Sequence, residues 1–96
     1  MLIAIDYDET WSRDPEFWRA FEELARTHGH EVIGVTGRDE RETDDMCPHY
    51  FRLQRFHTGG KAKRSFVESR LGRPVSVWID DSPEFIGRGF GDGLWP

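Results

Sequence analysis

Two groups of carboxylates stand directly behind apolar runs. Leu2-Ile3-Ala4-Ile5 stops at Asp6-Tyr7-Asp8-Glu9-Thr10, and Val75-Ser76-Val77-Trp78-Ile79 stops at Asp80-Asp81. Carboxylates gathered at one place repel each other unless a cation answers them, and a hard divalent ion with oxygen ligands is the ordinary answer. Mg²⁺ keeps several of its waters, accepts a few carboxylates and shares phosphate oxygens with a substrate, so this inventory suits phosphoryl chemistry. A third apolar run, Val32 to Val35, ends at Thr36-Gly37, a hydroxyl and a backbone N–H suited to a phosphate oxygen. Lys61 and Lys63 open a helical pattern, where lysine has the wrong sign for the macrodipole and an anionic neighbour would be welcome.

Each of these features has a plainer explanation when taken alone. Asp-x-Asp-x-Thr arises by chance in about 4% of chains with this length and content of Asp and Thr. Asp80-Asp81 precedes Ser82-Pro83-Glu84 and could serve only as a helix cap. Thr36-Gly37 is an ordinary turn pair. The coincidence of two acidic strand ends is what favours chemistry.

The elements that must position these residues alternate. Leu2 to Ile5 reads as a short buried strand. Asp14 as N-cap, Pro15 at the first helical position and Glu16 then open a helix, and Phe17, Trp18, Phe21, Leu24, Ala25 and His28 recur at helical spacing until Gly29 stops it. Val32 to Val35 is a second strand interrupted by Gly34. Asp39 to Tyr50 is polar and acidic, with room for a short helix. Phe51, Leu53 and Phe56 mark a weaker third strand before Thr58-Gly59-Gly60. A helix follows from about Ala62 to Leu71 with Phe66, Val67 and Leu71 inward, then a strand from Val75 to Ile79, then a short helix with Phe85 and Ile86. A glycine-rich tail ends in Leu94-Trp95.

Strands that alternate with helices predict parallel β-α-β units and a sheet covered on both faces. Right-handed crossovers gather the strand C-termini on one edge, where open α/β sheets bind ligands. Asp6, Thr36 and Asp80 each follow an apolar strand directly, so all three are expected on that edge.

Ninety-six residues form one domain spanning 1–96, with 36% hydrophobic and 32% charged residues. Four Trp, two Tyr and seven Phe argue against disorder. The net charge of −5 disfavours non-specific nucleic-acid binding. One cysteine, Cys47, excludes an internal disulfide framework, and its spacing from His49 and His57 does not suit zinc. With no long apolar run and no signal-peptide pattern, a soluble cytoplasmic protein is expected.

LIAIDYDET, VIGVTG, a lysine at a helix start and VSVWIDD, in that order, resemble the haloacid dehalogenase-like (HAD) phosphatase superfamily. The resemblance runs from Leu2 to about Ile86 and implies a three-layer Rossmann-like fold with a small, mainly parallel sheet of about four strands. It implies a Mg²⁺-dependent phosphomonoesterase working through an aspartyl-phosphate. Asp6 would be the nucleophile and Asp8 the general acid and base. Thr36 and the Gly37 N–H would bind phosphoryl oxygens. Mg²⁺ would be held by Asp6, the backbone carbonyl of Asp8 and Asp81, with Asp80 behind. The family lysine is Lys63 by its spacing to Phe66 and Val67, with Lys61 as the alternative. Trp11 departs from the pattern, since an aliphatic residue usually follows the threonine.

No stretch between these motifs has room for a cap domain. In the family, an open site implies a bulky or macromolecular phosphorylated substrate, or closure by another subunit in a homo-oligomer. The acidic stretch from Asp39 to Asp45 would be a solvated face or a partial lid, and Arg38 would contact substrate or pair with Asp39 to Glu42. The rival from another class is a catalytically weak or inactive phosphate-binding or protein-interaction module of the same fold. A phospho-accepting receiver domain is disfavoured by motif order, because Thr36 and Lys63 precede the second acidic pair.

Overall fold

The computed structural model describes residues 1–89, so the part of the glycine-rich tail holding Gly91, Gly93, Leu94 and Trp95 lies outside the described residues. Four strands form an all-parallel sheet: β1 (Leu2–Ile5), β2 (Glu31–Thr36), β3 (Gln54–His57) and β4 (Val77–Ile79), in the order β3-β2-β1-β4. Four helices accompany them: α1 (Pro15–Thr27), α2 (Pro48–Arg52), α3 (Lys63–Leu71) and α4 (Glu84–Gly87). A 3-10 turn, Trp11–Arg13, precedes α1.

The central strands are apolar throughout because both of their faces are covered. Ile3, Ile5 and Val32 pack with Ala25, Tyr50, Leu53, Trp18 and Phe21 beneath α1 and α2. Leu2, Ala4, Ile33 and Val35 face the other way, onto Val67, Phe66 and Leu71 of α3. The result is three layers, a Rossmann-like layout. Among the described residues no helix is long and apolar enough to cross a membrane.

The caps match the sequence signals. Asp14 accepts the N–H of Phe17, and Pro15 starts α1. Gly72 ends α3 at φ 71°, the left-handed region that favours glycine. His28, at the end of the helical pattern, is the terminal residue that closes the last turn of α1, its N–H directed at the carbonyls of Leu24 and Ala25.

Three expectations are corrected. Phe51 lies in α2, not in a strand, because Pro48 at its first position starts a helix that runs to Arg52; β3 begins only at Gln54. The fourth strand pairs from Val77, although Val75 is buried in the core just before it. Phe17 and Leu24 are exposed on α1, which buries a narrower stripe through Trp18, Phe21, Glu22 and Ala25. Glu22 can lie on that stripe because Arg26 and His49 satisfy its carboxylate.

Candidate functional site

β1 is central, between β2 and β4, and it delivers Asp6 to the shared C-terminal edge of the sheet. The Asp6 N–H still bonds the Ile79 carbonyl at 3.0 Å, so Asp6 leaves the sheet beside the end of β4, where Asp80 and Asp81 begin. The chain then turns back sharply. Thr10 N–H bonds the Tyr7 carbonyl (3.2 Å) and Trp11 N–H the Asp6 carbonyl (3.2 Å). Glu9 takes φ 61° in this turn, an uncommon conformation for a residue with a side chain.

The strand end is braced from one side by Tyr50. Its hydroxyl donates to the Ile5 carbonyl at 2.8 Å, and its ring packs against Tyr7 and Trp11. It reaches that point by crossing β2 at Gly34, where a Cβ would sit 2.7 Å from the Tyr50 ring. Trp11 is wholly buried here, beneath the turn.

Lys63 joins the acidic groups. Its Nζ donates to Asp6 Oδ1 at 2.8 Å and to Asp80 Oδ2 at 2.5 Å, with all three side chains buried. Thr10 spans the other side, its hydroxyl directed at Asp6 Oδ2 (3.3 Å) and Asp81 Oδ1 (3.4 Å) while accepting from the Asp81 N–H. Burial pushes the Asp6 carboxyl up from 3.8 to about 7, against the lowering pull of the Lys63 ammonium. One lysine therefore leaves this carboxylate undercompensated.

Asp8 stands apart from that cluster. Arg38 grips both of its oxygens, at 2.9 and 2.6 Å, and the same guanidinium bonds Asp45 at 2.5 Å and the Glu42 carbonyl at 2.9 Å. The guanidinium also lies over the Tyr7 ring, 5.2 Å from its centroid. Arg38 thus ties the acidic segment to the DxDxT turn, and the carboxylates it pairs with are Asp8 and Asp45, not those between Asp39 and Glu42. Two carboxylates bound to one guanidinium hold its proton more tightly than usual.

A cleft of about 360 Å³ opens over this arrangement, lined by Asp6, Asp8, Gly37, Lys63, Asp80 and Asp81 among others. Thr36 does not line it. Fully buried, its hydroxyl accepts the Arg38 N–H at 3.2 Å, leaving Gly37 as the member of that pair at the cleft wall. Lys61 is exposed and lines a different cavity, so Lys63 alone of the two lysines meets the carboxylates. Tyr7 points away, its hydroxyl accepting the Cys47 N–H. Glu9 bonds Arg13.

Sequence reasoning did not assign Tyr50, nor the double contact of Thr10. Gly34 was the available signal for the first, since a glycine inside an apolar strand marks a close approach. For the second, the spacing of four from Asp6 was visible, but not the nearness of Asp81.

Among the described residues, the one group of side chains suited to a metal ion is Asp6, Asp80 and Asp81, whose carboxylate oxygens lie within 4.8 Å of one another. With all three carboxylates ionised, three negative charges against one ammonium leave two in excess, which a divalent cation would balance. An all-oxygen donor set also suits Mg²⁺ rather than a softer metal. Cys47, His49 and His57 form no such group. No family model matches the chain, and no curated protein or solved structure matches it significantly.

Proposed function

We propose that this protein is a HAD-like, Mg²⁺-dependent phosphomonoesterase that forms an aspartyl-phosphate on Asp6. The observation that carries the reading is the bridge of Lys63 between Asp6 and Asp80, with Thr10 and Asp81 closing the cluster at a strand C-terminal edge. Burial and the hydrogen bonds from Lys63 and Thr10 preorganise the Asp6 carboxylate for in-line attack.

On this reading the substrate phosphate sits against the Gly37 N–H and Lys63, and an Asp6 oxygen forms a bond to phosphorus as the ester oxygen departs. Asp8 gives that oxygen its proton. Asp8 then removes a proton from a water that attacks the aspartyl-phosphate, releasing inorganic phosphate and restoring Asp6. Asp6, Asp81 and the Asp8 carbonyl would hold Mg²⁺, with Asp80 behind, and the ion would supply charge neutralisation on the transferring group. For either step Arg38 must release at least one of the two Asp8 oxygens it holds in the free protein.

Only a turn and α1 separate β1 from β2, and only α2 and β3 lie between β2 and α3. None of these is a cap, which favours a bulky or macromolecular phosphorylated substrate, or closure by a second copy of the chain.

The test is turnover of a panel of phosphomonoesters by wild type, Asp6→Asn and Asp8→Asn, with Mg²⁺ and with chelator. Metal-dependent hydrolysis by wild type, lost in Asp6→Asn, is expected. Equal rates in all three proteins would overturn the mechanism. The hold of Arg38 on both Asp8 oxygens favours one other reading, a phosphate-binding module without turnover. Phosphate binding with no hydrolysis of any panel member, by wild type or Arg38→Ala, would select it.

A further inference from the structure

Every donor on the Arg38 guanidinium is in use, and two carboxylates share it. The Nε–H and one Nη2–H face Asp8 side-on, reaching Oδ2 at 2.9 Å and Oδ1 at 2.6 Å. Asp45 takes the outer end, with Nη1 bonding its Oδ1 at 2.5 Å and Nη2 its Oδ2 at 3.3 Å. The remaining Nη1–H bonds the Glu42 carbonyl at 2.9 Å. Arginine has five such donors, so none is left over.

The guanidinium is the fixed partner in this group. Side-chain exposure is 17% for Arg38, against 52% for Asp8 and 74% for Asp45. The Arg38 N–H is bonded to the Thr36 hydroxyl oxygen, and the guanidinium lies over the buried Tyr7 ring. Tyr7 is itself anchored, since its hydroxyl accepts the Cys47 N–H and is directed at the Asp45 carbonyl. Movement therefore belongs to the exposed carboxylates.

The mechanism proposed above requires Asp8 to leave at least part of this fork. Asp8 and Arg38 both line the cleft over Asp6, so a released Asp8 carboxyl has open space in which to turn. With Asp45 in place, the guanidinium then keeps three of its five hydrogen bonds and a counterion. Without Asp45 it would keep the Glu42 carbonyl alone, and a largely buried cation without a partner charge is costly. Arg41, the other cation lining the cavity that reaches Asp45, is already bound to Asp39.

We propose that Asp45 is a positioning residue: by holding the outer end of Arg38 it keeps that cation neutralised when Asp8 lets go, and so eases the release of Asp8 for proton transfer. Its effect on turnover rests on the phosphomonoesterase reading, whereas the sharing of Arg38 between two carboxylates does not. The acidic segment from Asp39 to Asp45 thereby gains a task at the site other than that of a lid.

The Arg38 Nε–H reports the contact directly, because it bonds Asp8 alone. Its exchange with water is read by NMR in ¹⁵N-labelled protein with chelator and no substrate, the signal being assigned by its loss in Arg38→Lys. Asp45→Asn should slow that exchange about threefold to fivefold, and Asp45→Glu should recover most of the wild-type rate. Unchanged or faster exchange in Asp45→Asn overturns the proposal. A kinetic arm measures kcat and KM of the same proteins on a phosphomonoester that wild type hydrolyses with Mg²⁺. Asp45→Asn should lower kcat by a similar factor with KM unchanged within about twofold, and Asp45→Glu should restore it. The same loss of kcat on adding Asp45→Asn to Arg38→Gln would overturn an action through Arg38. Slower exchange with unchanged kcat overturns the catalytic role of Asp45 and leaves the phosphomonoesterase reading intact. No turnover of any phosphomonoester by wild type overturns that reading, and the catalytic role with it.

Discussion

Lys63 has two carboxylates on one ammonium in a buried place, so its loss and that of its neighbour Lys61 should differ sharply. Lys63→Ala strands Asp6 and Asp80 together and should cost about 3–5 kcal/mol in metal-free protein. Lys61→Ala, at an exposed position, should stay within about 0.5 kcal/mol. Denaturant unfolding with chelator measures both, and similar losses would contradict the buried bridge. The same scale bears on Thr36: its oxygen accepts the N–H of Arg38, which orients the hydroxyl without using its O–H, while the glycine beside it lines the cleft.

At the scale of elements, the site depends on α2 reaching across β2. Gly34→Ala would drive a Cβ into the Tyr50 ring and dislodge its bond to the Ile5 carbonyl, immediately behind Asp6. A loss of about 2–3 kcal/mol is expected in thermal or denaturant melts. Gly87→Ala, where a Cβ meets nothing within 4 Å, serves as the control and should change little. The helices α1 and α2 are also joined by Glu22, which accepts from His49 at 2.8 Å and pairs with Arg26. Burial alone would raise the Glu22 pKa, but the His49 and Arg26 contacts outweigh it and hold the carboxyl below its ordinary value. A carboxyl whose folded pKa is depressed adds stability above its unfolded pKa and loses it as the pH falls. Glu22→Gln should therefore cost about 1–2 kcal/mol at pH 7, and that gap should close in acid below pH ~4. Melting both proteins across that range checks the sign; a gap that widens in acid would refute it.

At the scale of the whole molecule, the excess of carboxylates would couple folding to a cation bound there. Asp6 lies at the end of β1 and Asp80 and Asp81 at the end of β4, so a bound ion would link two segments more than 70 residues apart in the chain. If Mg²⁺ binds only the folded state, a hundredfold excess over Kd adds about 2.7 kcal/mol. Calorimetry with Mg²⁺ and with chelator should show the increment as a higher Tm, and Asp81→Asn should abolish most of it. An identical Tm in both conditions would exclude the site.

The sequence by itself determined a good deal. Apolar runs ending in Asp6 and Thr36 revealed strands buried on both faces, and capping residues marked α1 and α3; the run ending in Asp80 is an edge strand with Val77 exposed. Parallel strands separated by helices then forced the three ends to one edge, because a crossover returns the chain in the same direction. What it could not weigh were contacts between segments far apart in the chain. Phe51 was read in a strand, since a short apolar pattern is compatible with both structures until Pro48 and the Gly34 notch seat α2. Likewise Lys61 and Lys63 are nearly equivalent as residues in a row. Only the tertiary structure separated them, because two positions at a helix start turn one side chain inward onto Asp6 and leave the other exposed at a separate cavity. Local chemistry depends on residue type and spacing; partnership depends on where the fold places residues that the chain keeps apart.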